Sequence, residues 1–158
     1  MILLEKQREQ FHEEGYLILP GFWSKESCAE MRSRVEHILL QMDLNEARTI
    51  FSTDESKHTE DDYFLGSADK IRFFWEEGAF DDSGDFKQDR LQCINKIGHA
   101  MHDIDPVFRK HSYETRVGQI CRELGLSNPL AVQSMYIFKQ PRIGGEVTPH
   151  QDGAFLYT

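Results

Sequence analysis

Only three cysteines occur in 158 residues, and Cys28, Cys93 and Cys121 stand far apart. An odd, scattered set fits reduced thiols in a cytoplasmic protein and argues against a disulfide framework. No two cysteines stand at zinc spacing. No apolar run approaches the roughly 20 residues that span a bilayer. Met1-Ile2-Leu3-Leu4 is cut short by Glu5 and Lys6, too early for the apolar region of a signal peptide. Positive charge is scarce: 18 Lys and Arg face 27 Asp and Glu, for a net charge of -9. Such a surface argues against binding a phosphate backbone. Also missing are an internal repeat, a low-complexity tract, a G-x-S-x-G elbow and a glycine-rich phosphate loop. Membrane, secreted and nucleic-acid classes are therefore set aside, and a small-molecule substrate is expected. Oligomeric state is not readable.

Apolar residues make up 39% of the chain, eleven of them Phe, which is enough for a packed core. The length suits one domain, so residues 1–158 are taken as a single domain. Lys6–Glu14 reads as a helix closed by Gly15, and Tyr16–Leu19 as a short buried strand before Pro20-Gly21. The clearest helix spans Lys25–Met42, capped by Ser24. Cys28, Met31, Val35, Ile38 and Met42 form its apolar stripe, and Met31, Val35, Ile38 and Leu39 are expected to be buried against a sheet. Residues 45–89 hold thirteen acidic and five basic side chains, hence nearly all the net charge. They read as a solvated face, since the spacing of an EF-hand is missing. Within them Ile71–Trp75 reads as a strand and Asp81–Gly84 as a turn.

Leu91–Asp103 is predicted to be a helix, with Ile94, Ile97 and Met101 inward, ended by Asp105-Pro106. A further helix is placed over Tyr113–Leu124, with Gly125 as its cap. After Pro129 the period becomes two. Leu130–Lys139 reads as a long strand, Gln140–Gly145 as a turn and Glu146–Asp152 as a strand or strand end. Helices first and strands last make an α+β pattern.

His150-Gln151-Asp152 is the leading candidate for chemistry. On an extended chain the imidazole and the carboxylate point to one side and can chelate a metal. With a second His they complete the facial triad of non-heme iron(II) oxygenases. The same triplet also suits a surface turn. His99 and His102, i and i+3 on the predicted helix, are read as half-buried or surface histidines. His12, His37, His58 and His111 have no ligand spacing. Lys96 is either a solvent-facing lysine or a cation for a substrate carboxylate, and Met135 is most simply core.

Longer motifs carry a resemblance. They are Val132-Gln133-Ser134-Met135-Tyr136-Ile137-Phe138-Lys139-Gln140-Pro141, Gly144-Gly145-Glu146-Val147 and Pro149-His150-Gln151-Asp152. Asp69–Phe74, Ile94–Ala100, His102–Phe108 and Gly15–Phe22 join them. Together they resemble the phytanoyl-CoA dioxygenase family, from about residue 9 to residue 158. The resemblance implies helices packed on a double-stranded β-helix (jelly roll). It implies iron(II) as cofactor and 2-oxoglutarate as cosubstrate, whose oxidative decarboxylation is coupled to C–H hydroxylation. His150 and Asp152 become two metal ligands, and Lys96 and Met135 line the 2-oxoglutarate pocket, Lys96 by pairing with a carboxylate.

In that family a second metal His and a carboxylate-clamping Arg lie well downstream of H-x-D. The sequence stops six residues after Asp152. A truncated chain is therefore expected, with a jelly roll incomplete at the C-terminus and no activity of its own. The alternative is a non-catalytic isoform or interaction module. A third possibility has His99 or His102 replacing the missing ligand.

Overall fold

The computed structural model describes residues 1–43, 49–50, 62–147, 149 and 151. In chain order the elements are α1 (Glu5–Glu14), α2 (Lys25–Gln41), α3 (Asp62–Leu65), β1 (Ile71–Trp75), β2 (Ile94–His99), α4 (Met101–Ile104), α5 (Pro106–Ser112), α6 (Thr115–Glu123) and β3 (Ser134–Ile137). The strands form one sheet in the order β1-β2-β3. The Glu76 N–H, just past β1, donates to the Cys93 carbonyl just before β2. The Phe138 N–H, just past β3, donates to Asn95 near the start of β2. The end of each outer strand thus meets the beginning of β2, so both pairings are antiparallel. A mixed helix-and-strand fold was expected and is present. The described residues hold a small three-stranded sheet, and the expected jelly roll goes beyond them. No helix among them is long and apolar enough to cross a membrane.

The chain divides into two compact units, residues 1–42 with 99–135 and residues 43–98 with 136–158. The first is helical. Ser24 Oγ accepts the Ser27 N–H at 3.1 Å and starts α2 where the sequence places it. Val35 and Ile38 are buried; Met31 and Leu39 are half-buried, and Cys28 is exposed. The stripe packs on another helix, α5, and not on a sheet as expected. Asp105 ends α4 as predicted, and its carboxylate also starts α5, accepting the Val107 and Phe108 N–H groups at 3.0 and 3.1 Å. Pro106 at the first position of α5 loses no helical hydrogen bond. α6 ends as predicted, with Gly125 at φ 99°. Tyr16–Leu19 is not a strand: it pairs with nothing regular, and Tyr16 and Ile18 are exposed.

The second unit is built on aromatic packing. Phe73, Phe74 and Trp75 are all buried, so both faces of β1 are covered. Phe73 and Trp75 share one face with ring centroids 5.2 Å apart, and Phe86 lies 4.8 Å from Trp75. Tyr63 and Phe64 meet Phe74 at 5.6 and 5.8 Å. The Asp81–Gly84 turn forms as expected, with Asp81 accepting the Ser83 and Asp85 N–H groups at 2.9 Å.

The predicted helix over Leu91–Asp103 does not form. Arg90–Cys93 is a 3-10 turn, Ile94–His99 is β2, and only Met101–Ile104 is helical. Because β2 is buried on both faces, the alternation that marks a strand is absent, and Ile94, Ile97 and Met101 imitate a helical stripe. The long strand over Leu130–Lys139 shrinks to β3, with Leu130 and Val132 exposed. Residues 143–147 form no regular element.

Candidate functional site

Of the four residues predicted to form a site, His150 and Asp152 lie outside the described residues. Met135 belongs to the helical unit and Lys96 to the sheet unit. Met135 is 40% exposed, which corrects its reading as core. On β3 the period of two is real, but Ser134 and Tyr136 are the half-buried residues, while Met135 and Ile137 take the open face.

Lys96 departs most from a surface lysine. It sits in the middle of β2 and is 5% exposed. Burial pushes its ammonium down from the ordinary lysine range to about 8. The charge of Glu76 opposes that fall and the charge of Lys139 adds to it. A midpoint about one unit above neutrality leaves most Lys96 side chains cationic at pH 7. Here, then, is a desolvated cation whose attraction for an anion is screened little by water.

At the start of β2 lies a polar group that sequence reasoning missed. Glu76, 4% exposed, accepts a hydrogen bond from Asn95 Nδ2 at 2.9 Å on Oε2. Asn95 Oδ1 is buried and has no hydrogen-bond partner among the described residues. A buried acceptor in that state favours a nearby donor, such as water or a ligand hydroxyl. The turn over residues 141–145 passes the same carboxylate. A Cβ on Gly144, at φ 132°, would stand 3.5 Å from Glu76 Oε2, and one on Gly145 would overlap the Glu77 carboxylate. These glycines let the backbone approach two acids just before the H-x-D segment. Glu76 was hidden in the acidic stretch read as a solvated face. The available signal was its place directly after Phe73-Phe74-Trp75, where a charge ends a buried run.

His99 and His102 are buried, at 5% and 3% exposure, and are not half-buried or surface residues of one helix. His99 ends β2 and His102 lies in α4. His102 Nδ1 stands 2.8 Å from Ser134 Oγ, and Nε2 stands 3.5 Å from Asp103 Oδ2. The Ser134 hydroxyl also accepts the His102 backbone N–H at 2.9 Å. With both ring nitrogens facing protein atoms, His102 ties β3 to α4. Among the described residues no three His, Cys, Asp or Glu side chains gather as a metal site. His150 and Asp152, an imidazole and a carboxylate of the kind that suits iron(II), lie outside the residues that were searched. The chemistry that suits a carboxylate rests on Lys96, and its enclosed ammonium fits that partner.

The family model for phytanoyl-CoA dioxygenase (PhyH) matches residues 11–158. Phytanoyl-CoA dioxygenase domain-containing protein 1 of Danio rerio is 49% identical over 162 residues, covering 99% of this chain and 56% of that protein. Its Mus musculus counterpart is 49% identical over 161 residues, covering 99% and 55%. A phytanoyl-CoA dioxygenase of Arabidopsis thaliana is 46% identical over 156 residues, covering 99% and 55%. The chain spans about half the length of the curated relatives it matches.

Proposed function

This chain belongs to the phytanoyl-CoA dioxygenase family, and on that premise we propose that it forms part of an iron(II)- and 2-oxoglutarate-dependent oxygenase. The observation that carries the proposal is Lys96, a cation enclosed in the middle of a strand. An enclosed ammonium forms a charge-assisted pair with a carboxylate, and a dicarboxylate cosubstrate offers one.

In this reading His150 and Asp152 hold the metal, one imidazole and one carboxylate from one short segment, within a partial jelly roll. Lys96 holds and orients a carboxylate of 2-oxoglutarate. Iron and cosubstrate, when bound, supply the oxidising power for C–H hydroxylation. The protein's part is to hold the dicarboxylate in one orientation and to keep water from the Lys96 ion pair. The substrate is a small molecule. The compartment is the cytoplasm, supported by three free cysteines.

Two protein ligands leave four positions of an octahedral ion to water or cosubstrate, so metal retention is expected to be weak without a third ligand. The 158 residues alone are therefore expected to turn over little or no 2-oxoglutarate. The test is succinate formation after anaerobic iron(II) loading and exposure to oxygen. In a longer chain carrying a further metal His, Asp152→Ala and His150→Ala should abolish succinate release. Release that survives both substitutions removes the metal assignment. Release by the 158 residues alone, abolished by Asp152→Ala, would make another residue the third ligand, with His99 and His102 first to substitute.

A further inference from the structure

We infer that the groove between α2 and α5 is a binding site for a phosphate group, held by the guanidinium of Arg34. The site lies wholly within the helical unit and does not depend on the oxygenase reading. Glu30, Ser33, Arg34 and His37 follow one another at i, i+3, i+4 and i+7, so they share one face of α2. Val35 and Ile38, on the neighbouring face, are the residues that α2 buries. The polar face and Val107 of α5 line an open groove of about 350 Å³.

Arg34 is the group that calls for an anion. Asp105 takes it by one edge only: Oδ2 accepts from Arg34 Nε at 2.6 Å, while Oδ1 is turned to the Val107 and Phe108 N–H groups. The N–H donors on the two Nη atoms meet no acceptor among the described residues. The side chain is 27% exposed, so these donors are open to a ligand. Asp105 also fixes the guanidinium, so little side-chain freedom is left to lose when an anion binds. Glu30, the acid of the groove, is already engaged. It accepts from Lys110 Nζ at 3.0 and 2.8 Å, and its Oε2 stands 3.0 Å from His111 Nε2. The acids behind most of the net charge lie in residues 45–89, in the other unit. The Ser33 hydroxyl and the His37 imidazole flank Arg34 and add donors on the same face. Together these donors exceed what a carboxylate's two oxygens accept, and they suit the outer oxygens of a phosphate. Because each acid in or behind the groove is paired with a cation, hydrogen bonds rather than net charge carry the binding. Its affinity is expected to be roughly millimolar.

The experiment is an NMR titration of the whole chain at constant pH and ionic strength. The probes are inorganic phosphate and glycerol phosphate, with chloride as the control. The Arg34 Nε–H resonance is assigned by its loss in Arg34→Lys, and the His37 ring by its loss in His37→Gln. Both resonances should move saturably with phosphate and stay in place with chloride. Arg34→Lys keeps a cation for Asp105 but loses the Nη donors, and should weaken binding, read at His37, by about tenfold. Ser33→Ala and His37→Gln change exposed side chains. Each should weaken binding, read at Arg34, by about threefold. These two variants decide the matter if Arg34→Lys does not fold. Tighter binding of glycerol phosphate than of inorganic phosphate makes the ligand a phosphate monoester; the reverse order makes it free phosphate. Shifts that chloride reproduces, shifts that never saturate, or an affinity unchanged in both Ser33→Ala and His37→Gln overturn the inference.

Discussion

In the helical unit Asp105 is an enclosed charge, 2% exposed; in the sheet unit Lys96, 5% exposed, and Glu76, 4% exposed, are both enclosed. Asp105 is saturated. Its Oδ2 accepts from Arg34 Nε at 2.6 Å, and its Oδ1 accepts two backbone N–H groups at the start of α5. It joins α2 to α5 and starts a helix with one side chain. Lys96 is instead held near its titration, pushed down to about 8 by burial. Every group around Asp105 serves the fold. In the proposed function the charge of Lys96 is met by a ligand.

The largest expected effect lies at Asp105. Asp105→Ala leaves Arg34 without its partner and two N–H groups without an acceptor. Breaking a buried ion pair from one side costs about 3–5 kcal/mol. Urea unfolding measures it, and a loss below about 1 kcal/mol would mean that Asp105 is no better anchored than a surface acid.

Asp105 also shows how far the sequence was legible. Asp105-Pro106 was read as the end of one helix, and that boundary stands. The same dipeptide is a start signal, an acceptor followed by a proline at the first helical position, and α5 went unread. Where polar and apolar faces alternate at helical spacing, as in α2, caps and stripe located the element. Where a strand is covered on both faces, as in β2, no alternation survives, and Lys96 was placed on a helix that does not exist. Its burial was therefore unreadable, although the family resemblance had marked the residue. Glu76 was lost for the opposite reason: the composition around it is acidic, and an average over 45 residues hides one enclosed carboxylate.

Lys96 should answer substitution with the opposite sign. Burial disfavours its charged form, so the folded chain binds fewer protons than the unfolded chain between about pH 8 and the ordinary lysine value of 10.5. Stability from this group therefore rises with pH across that window, and the cost of the enclosed cation is fully present below it. Lys96→Met should stabilise the protein by about 1–3 kcal/mol at pH 7 and remove the rise between pH 8 and 10.5. Urea unfolding at pH 7 and pH 10 checks both. A destabilised Lys96→Met at pH 7 would put Lys96 with Asp105 as a structural charge, and the contrast between the units would be gone.

The smallest effect belongs to Ser24, which separates capping from burial at Asp105. Both residues stand at the start of a helix and accept free N–H groups. Ser24 accepts one, from Ser27 at 3.1 Å, and is open to water. When its hydroxyl is removed, water reaches the same N–H, so Ser24→Ala should cost only about 0.5–1 kcal/mol. Asp105→Ser keeps a capping oxygen but removes the charge that meets Arg34. If burial sets the scale, Asp105→Ser should still lose most of what Asp105→Ala loses, because the guanidinium stays partly enclosed without its acid. If capping sets it, Asp105→Ser should be nearly neutral and Ser24→Ala should match Asp105→Ala. Urea midpoints for the three variants at an unchanged slope decide between the two. Equal losses at Ser24 and Asp105 would reduce the enclosed carboxylate to an ordinary cap.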